Sequence, residues 1–169
     1  MAEAFNDLIL PAEKDERYAA LADEIAAVLD GEPNLTARMA TVASMLAASF
    51  DHFFWTGFYV VDADNPQELV VGPYQGTLGC LRIAFGRGVC GAAAETGQIQ
   101  VVEDVHAFPG HIACDARSAS EIVVPVFDSA GGLIGVLDVD SDQKSAFDEV
   151  DASWLQTIVH KVFSISGAA

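Results

Sequence analysis

Apolar residues recur at helical spacing at Tyr18, Leu21, Ala22, Ile25, Val28 and Leu29 and stop at Gly31, the pattern of an amphipathic helix closed by a C-terminal glycine. Asn34, whose side-chain oxygen suits a free helix N-terminus, opens a second stripe of Leu35, Met39, Val42 and Leu46 that predicts a helix to about Ser49. The period then changes. Phe53 to Val61 is aromatic and β-branched and reads as a strand, Asp62 to Pro66 as a turn, and Glu68 to Tyr74 as a second strand, which makes a hairpin. Cys80 to Phe85 reads as a further strand leading through Gly86-Arg87-Gly88 into a short helix from Val89 to Glu95, and Ile99 to Val102 as a small strand.

Glu103 to Ala119 sustains neither period and carries Pro109, Gly110, His106, His111 and Cys114, so it is expected to be a long loop, a kind of segment that in compact domains is commonly functional. Glu121 to Phe127 and Leu133 to Val139 read as strands joined at Asp128 to Gly132, and a last helix is expected from Phe147 to about Phe163, capped by Ser145 with Asp148. Hairpin-linked strands between outer helices predict the α+β class, with a mainly antiparallel central sheet and the N- and C-terminal helices packed on one face. Without repeats, low-complexity stretches or linkers, residues 1–169 are expected to form one domain.

Composition narrows the function classes. The 51% apolar content over 169 residues suffices for a sizeable core, but no run reaches the roughly 18 apolar residues of a membrane span. The acidic start, Met1 to Asp7, is unlike a signal or transit peptide, so the chain is expected in the cytoplasm. Eight basic against 25 acidic residues, a formal charge of −17, repel phosphate backbones and anionic lipid heads and argue against nucleic-acid and membrane partners.

Three cysteines are a poor disulfide framework for a reducing compartment, which turns attention to their chemistry. Cys90 falls in the first turn of the short helix, where the helix dipole lowers a thiol's pKa, so position alone nominates Cys90 as the reactive thiol. The surrounding Gly86-Arg87-Gly88-Val89-Cys90-Gly91 imitates a dinucleotide fingerprint, with Glu103 and Asp104 downstream. That fingerprint belongs to a parallel βαβ unit with a full crossover helix, whereas Thr96-Gly97 ends this helix after about two turns. A metal is not expected, because nine residues lie between Cys80 and Cys90 and 23 between Cys90 and Cys114, far from zinc-ligand spacing. His111, three residues before Cys114, is either an assistant to that thiol or an exposed loop histidine.

Asp138 and Asp140 alternate with Leu137 and Val139 and share one face of an otherwise apolar strand, and the hairpin brings Glu121 to the same end. Whether Glu121 joins that face depends on register. If the three acids converge, repulsion raises at least one pKa and creates a proton donor, while the other charges suit an ammonium group. Otherwise they merely end strands and cap the turn at Asp140-Ser141-Asp142. Trp55 and Tyr59 are core or pocket aromatics.

Ordered blocks then resemble one family: Trp55-Thr56-Gly57-Phe58-Tyr59, Gly72-Pro73-Tyr74-Gln75-Gly76, Gly86 to Gly91, Asp104-Val105-His106-Ala107-Phe108-Pro109-Gly110-His111-Ile112-Ala113-Cys114-Asp115, Ser120-Glu121-Ile122-Val123-Val124-Pro125 and Gly135-Val136-Leu137-Asp138-Val139-Asp140-Ser141. They are similar to the free methionine-(R)-sulfoxide reductases, and the likeness covers nearly the whole chain. Thr77-Leu78-Gly79, ahead of Cys80, is a small departure. The resemblance implies a GAF-type fold, a homodimer, no metal or organic cofactor, and thioredoxin as external reductant.

The resemblance also implies that Cys114 is the cysteine oxidised in turnover, Cys80 its resolving partner and Cys90 a third thiol near the substrate with an open role. It places Glu121, Asp138 and Asp140 around the ammonium and sulfoxide of free methionine-(R)-sulfoxide, with Glu121 and Asp140 also catalytic, and Trp55 and Tyr59 near the S-methyl group. Two rivals stay open at this point: a GAF-type sensor that binds a small molecule without turning it over, and a general thiol peroxidase.

Overall fold

The computed structural model describes residues 9–111 and 114–164. The element order is α1 (Lys14–Val28), α2 (Leu35–Ser49), β1 (Trp55–Val61), β2 (Glu68–Gln75), β3 (Arg82–Ala84), α3 (Gly88–Thr96), β4 (Gln100–Val102), β5 (Ser120–Phe127), β6 (Leu133–Ser141) and α4 (Glu149–Phe163). Asn34 caps α2 as its sequence position predicts, its Oδ1 accepting from the Ala37 N–H at 2.9 Å. Gly97, in the left-handed conformation with φ +65°, closes α3 after nine residues.

Among the boundaries that differ from the sequence expectation, two do so for identifiable reasons. The strand expected over Cys80 to Phe85 contracts to Arg82–Ala84, paired with Glu68 to Val70. Farther along β2, Pro73 has no N–H with which to continue the ladder, and Cys80 is left in a loop. The last helix starts at Glu149, two residues later than expected, and Ser145 does not cap it but sits at φ 53°. Asp148 is the cap: its carboxylate accepts from the Val150 and Asp151 N–H groups, and the Asp151 carboxylate accepts in return from the Asp148 N–H at 2.8 Å.

The six strands lie in the order β3-β2-β1-β6-β5-β4, every neighbouring pair antiparallel. This disposes of the dinucleotide imitation, because the strand before Gly86 belongs to an antiparallel pair. Strand alternation divides the side chains between two faces. Phe58, Ile122, Val124, Leu137 and Val139 point to one face, where α1, α2 and α4 cover them and build the main core, in line with the predicted packing of the terminal helices. Trp55, Tyr59, Val123 and Val136 point to the other, beneath α3 with Val89, Cys90 and Ala93. Gly57, between Trp55 and Tyr59, faces Tyr74 so closely that an added Cβ would overlap the Tyr74 Cβ, so only glycine lets β1 and β2 approach there. None of the helices among the described residues is long and apolar enough to cross a membrane.

A buried polar tie joins α1 to α4. Asp151 on α4 is fully buried, and its carboxylate accepts from the Tyr18 hydroxyl at 2.8 Å and from Lys14 Nζ at 2.8 Å, both on α1. A buried charge is tolerated only with such partners. Tyr18→Phe is therefore expected to lower stability by about 1–3 kcal/mol. In thermal melts this corresponds to a fall of about 2–4 °C per kcal/mol for a domain of this size. An unchanged melting temperature would show that the tie contributes nothing.

Candidate active site

The face beneath α3 opens into a pocket. Three strands deliver its charged floor, because β5 and β6 pair with Glu121 opposite Asp140, and β6 and β1 pair with Asp140 opposite Trp55 and Asp138 opposite Gly57. The register left open by the sequence thus puts Glu121, Asp138 and Asp140 on one face, alongside Trp55 and Tyr59. The cavity, about 510 Å³ including its open mouth, is lined by these five residues, by Cys90, Arg87 and Val89 of α3 and its approach, and by His111, Cys114, Asp115 and Ser118 of the long loop.

Burial controls the electrostatics. Glu121 and Asp138 are 6% and 5% exposed, and loss of hydration raises both carboxyls well above the ordinary range. Repulsion adds to this: Asp138 and Asp140 act on Glu121, and Asp140 acts on Asp138. Asp140 is pushed up to about 6 by burial, although the Ser118 hydroxyl, which donates to its Oδ1 at 2.5 Å, works in the opposite direction. Carboxyls in this condition keep their protons to higher pH than exposed acids do, which is the direction a general acid needs.

Asp138 Oδ1 is buried and has no hydrogen-bond partner among the described residues. The Cys90 thiol donates weakly to Glu121 Oε1 at 3.9 Å, and ligand atoms of Cys90, Glu121 and Asp138 lie within 4.8 Å of one another. Chemically this trio can surround a single small cationic group. His111 places Nε2 3.8 Å from Glu121 Oε2, and burial, followed by the nearby His106, holds its pKa below the ordinary histidine value.

The cysteines divide sharply. Cys90 is 4% exposed, and burial, followed by the charges of Asp138, Glu121 and Asp140, raises its thiol well above the usual value. Helix position alone nominates Cys90 as the reactive thiol, but burial next to three acids acts in the opposite direction from the helix dipole and disfavours a thiolate there. Cys114 is exposed at the pocket mouth and joined by a disulfide to Cys80, with their Cα atoms 5.4 Å apart.

Trp55 and Tyr59 satisfy both readings open to them. They are 4% and 2% exposed, yet they wall the pocket, Trp55 stacking between Tyr59 at 5.6 Å and Tyr74 at 5.1 Å. The Trp55 indole N–H donates to the Thr77 carbonyl at 3.0 Å. Thr77, Asp115 and Ser118 are among the residues of this region that the sequence did not single out as site residues. Only the short-range pair of Asp115 with Arg117 left a trace in the sequence, since the partners of Thr77 and Ser118 are 38 and 22 residues away.

Residues 32–162 match the GAF domain family. The chain is 49% identical over 86% of its length to GAF domain-containing protein A of Dictyostelium discoideum, covering 90% of that protein. It is 43% identical over 86% of its length to the free methionine-R-sulfoxide reductase of Escherichia coli (strain K12), covering 86% of that protein. It also superimposes with a TM-score of 0.87 and 46% identity on the free methionine-R-sulfoxide reductase from Neisseria meningitidis solved in complex with its substrate, over 92% of each chain.

The raised carboxyls have a measurable linkage. Native Asp138 retains its proton at pH values where the unfolded chain has released it, so ionising it costs native stability as pH rises above about 4. Asp138→Asn removes that cost. Its melting temperature relative to the parent chain is expected to increase from pH 5 to pH 8, by about 2–4 °C for each kcal/mol of the relieved cost. The histidines are common to both proteins and cancel. A difference that stays constant or shrinks with rising pH would contradict the raised pKa.

Proposed function

The chain belongs to the free methionine-R-sulfoxide reductase family of GAF domain proteins, and on that premise we propose that it reduces free L-methionine-(R)-sulfoxide to L-methionine through Cys114. One observation carries the reading: three raised carboxyls and an orphaned carboxylate oxygen lie on the floor of an aromatic-walled pocket lined at its rim by Cys114, which is disulfide-bonded to Cys80.

In this reading the substrate ammonium occupies the space beside Asp138 Oδ1 and Glu121, where a charge partner lets the buried carboxylate ionise. The S-methyl group rests against Trp55 and Tyr59. The substrate carboxylate faces Arg87 and the start of α3, a terminus with no side-chain cap of its own. A zwitterion satisfies both ends, whereas a peptide-bound sulfoxide offers neither charge, which accounts for a preference for the free amino acid.

The Cys114 thiolate attacks the sulfoxide sulfur while a protonated carboxyl, Asp140 or Glu121, donates to the departing oxygen. The oxygen passes from substrate to cysteine, giving methionine and a sulfenic acid on Cys114. The Cys80 sulfur displaces hydroxide from that sulfenic acid, which leaves as water, and forms the disulfide. Thioredoxin restores both thiols by exchange. Cys90, buried and with a raised pKa, belongs to the pocket floor in this scheme and not to the electron path. No metal or organic cofactor enters, and the reading retains a cytoplasmic homodimer.

The test supplies the protein with thioredoxin, its reductase and NADPH, and compares free methionine-(R)-sulfoxide, the (S)-epimer and a peptide-bound sulfoxide. Only the first should consume NADPH; equal rates on the peptide would refute the reading. Cys114→Ser should abolish turnover. Glu121→Gln should lose about 10²–10⁴-fold if it is the proton donor. Cys80→Ser should release one methionine per protein and then stall with thioredoxin. A sensor would bind the sulfoxide equally well with or without Cys114 and consume nothing.

A further inference from the structure

Cys80 and Cys114 both sit on loops, outside any strand, and the bond between them spans 34 residues. A chain of side-chain contacts nevertheless runs through both loops and closes on itself. The Arg117 guanidinium lies over the Phe54 ring, 5.3 Å from its centroid. Arg117 also grips Asp115, donating from Nη2 at 2.7 Å and Nε at 3.1 Å, and the Arg117 backbone N–H adds a third bond at 2.9 Å. Asp115 Oδ2, the oxygen that accepts from Arg117 Nη2, also accepts from the Thr77 hydroxyl at 2.7 Å. Thr77 in turn accepts through its carbonyl from the Trp55 indole N–H at 3.0 Å. The circuit begins at Phe54 and ends at Trp55, neighbours at the start of β1.

Asp115 directly follows Cys114, and Thr77 precedes Cys80 by three residues. Their hydrogen bond is the only one between the two cysteine loops among the described residues. Thr77 and Arg117 are exposed and Asp115 is half-buried, and ion pairs this close to solvent add little to global stability. Fold stability therefore does not explain the circuit. Its effect is local: it limits how far the Cys80 loop can swing from the Cys114 loop, and so raises the effective concentration of one sulfur at the other.

We propose that Thr77 and Asp115 are positioning residues that hold Cys80 within reach of Cys114, so that oxidised Cys114 is resolved before it reacts further. The proposal rests on the reductase reading for the origin of the sulfenic acid, but the clamp itself does not. In the resolving step the Cys80 sulfur bonds to the Cys114 sulfur, the S–O bond breaks, and hydroxide takes up a proton to leave as water. Without the clamp the Cys80 loop samples more positions. The sulfenic acid then persists, and the disulfide, once formed, is easier to reduce.

The decisive experiment needs no sulfoxide. The parent chain, Thr77→Val, Thr77→Ser and Asp115→Asn are equilibrated in glutathione redox buffers, and the Cys80–Cys114 disulfide is quantified by alkylation and mass. Thr77→Val should shift the equilibrium roughly fivefold toward the dithiol, a size in keeping with one exposed hydrogen bond to a carboxylate. Asp115→Asn should shift it in the same direction, and Thr77→Ser, which keeps the hydroxyl, should match the parent. Equilibria unchanged in both Thr77→Val and Asp115→Asn, or a shift in Thr77→Ser equal to that in Thr77→Val, would overturn the proposal.

A second readout follows the kinetics. After one turnover with free methionine-(R)-sulfoxide, a sulfenic-acid trap should label Cys114 in Thr77→Val several-fold more than in the parent, while each protein still yields one methionine. Absence of methionine from every protein, parent included, would refute the reductase reading and leave the glutathione result standing on its own.

Discussion

The molecule depends most on the burial of three carboxyls against one another on a single sheet face. Loss of hydration and mutual repulsion make Glu121, Asp138 and Asp140 costly to ionise together, so the native state holds protons there that water would ordinarily take. That condition is created by strand register: Glu121 opposite Asp140, and Asp138 one alternation away. A slip of one residue in either strand would send an acid into the main core, so the hairpin register and the chemistry of the pocket are the same constraint.

The remainder of the fold makes that arrangement tolerable. One sheet face is committed to stability, with Phe58, Ile122, Leu137 and Val139 sealed beneath three helices and the Tyr18–Asp151 contact tying two of them together. The opposite face is left to a single short helix, α3, which seals Cys90 and Val89 over the acids but leaves a mouth bounded by two loops. The sulfurs of the Cys80–Cys114 disulfide sit on those loops, where a chain can move without disturbing the sheet. The acids, in contrast, stand on the rigid strands.

Much of this was legible in the chain. Helical spacing located α1 and α2, Asn34 marked the start of the latter, and the alternation of Asp138 and Asp140 with apolar neighbours singled out the charged face. Local pattern carried those features because local geometry determines them. Three things escaped it. Hairpin register is decided by pairing, which Glu121 alone could not reveal. The Cys90 thiol was misread because helix position is local while burial is a property of the assembled fold. Thr77 looked like an ordinary loop residue because its partner, Asp115, lies 38 residues on. The pairing of Cys114 with Cys80, implied by family resemblance, is also the one the structure makes.

On the proposed reading, buried carboxyls keep their protons until an ammonium group arrives. Isotope-edited infrared spectroscopy of the side-chain carboxyls at pH 7 addresses it directly. Protonated carboxyl bands, removed by Glu121→Gln or Asp138→Asn, should be present in the free protein. Free methionine-(R)-sulfoxide should convert at least one of them to carboxylate, while a peptide-bound sulfoxide leaves them unchanged. Three fully ionised carboxylates in the free protein, indifferent to either compound, would contradict proton storage at this site.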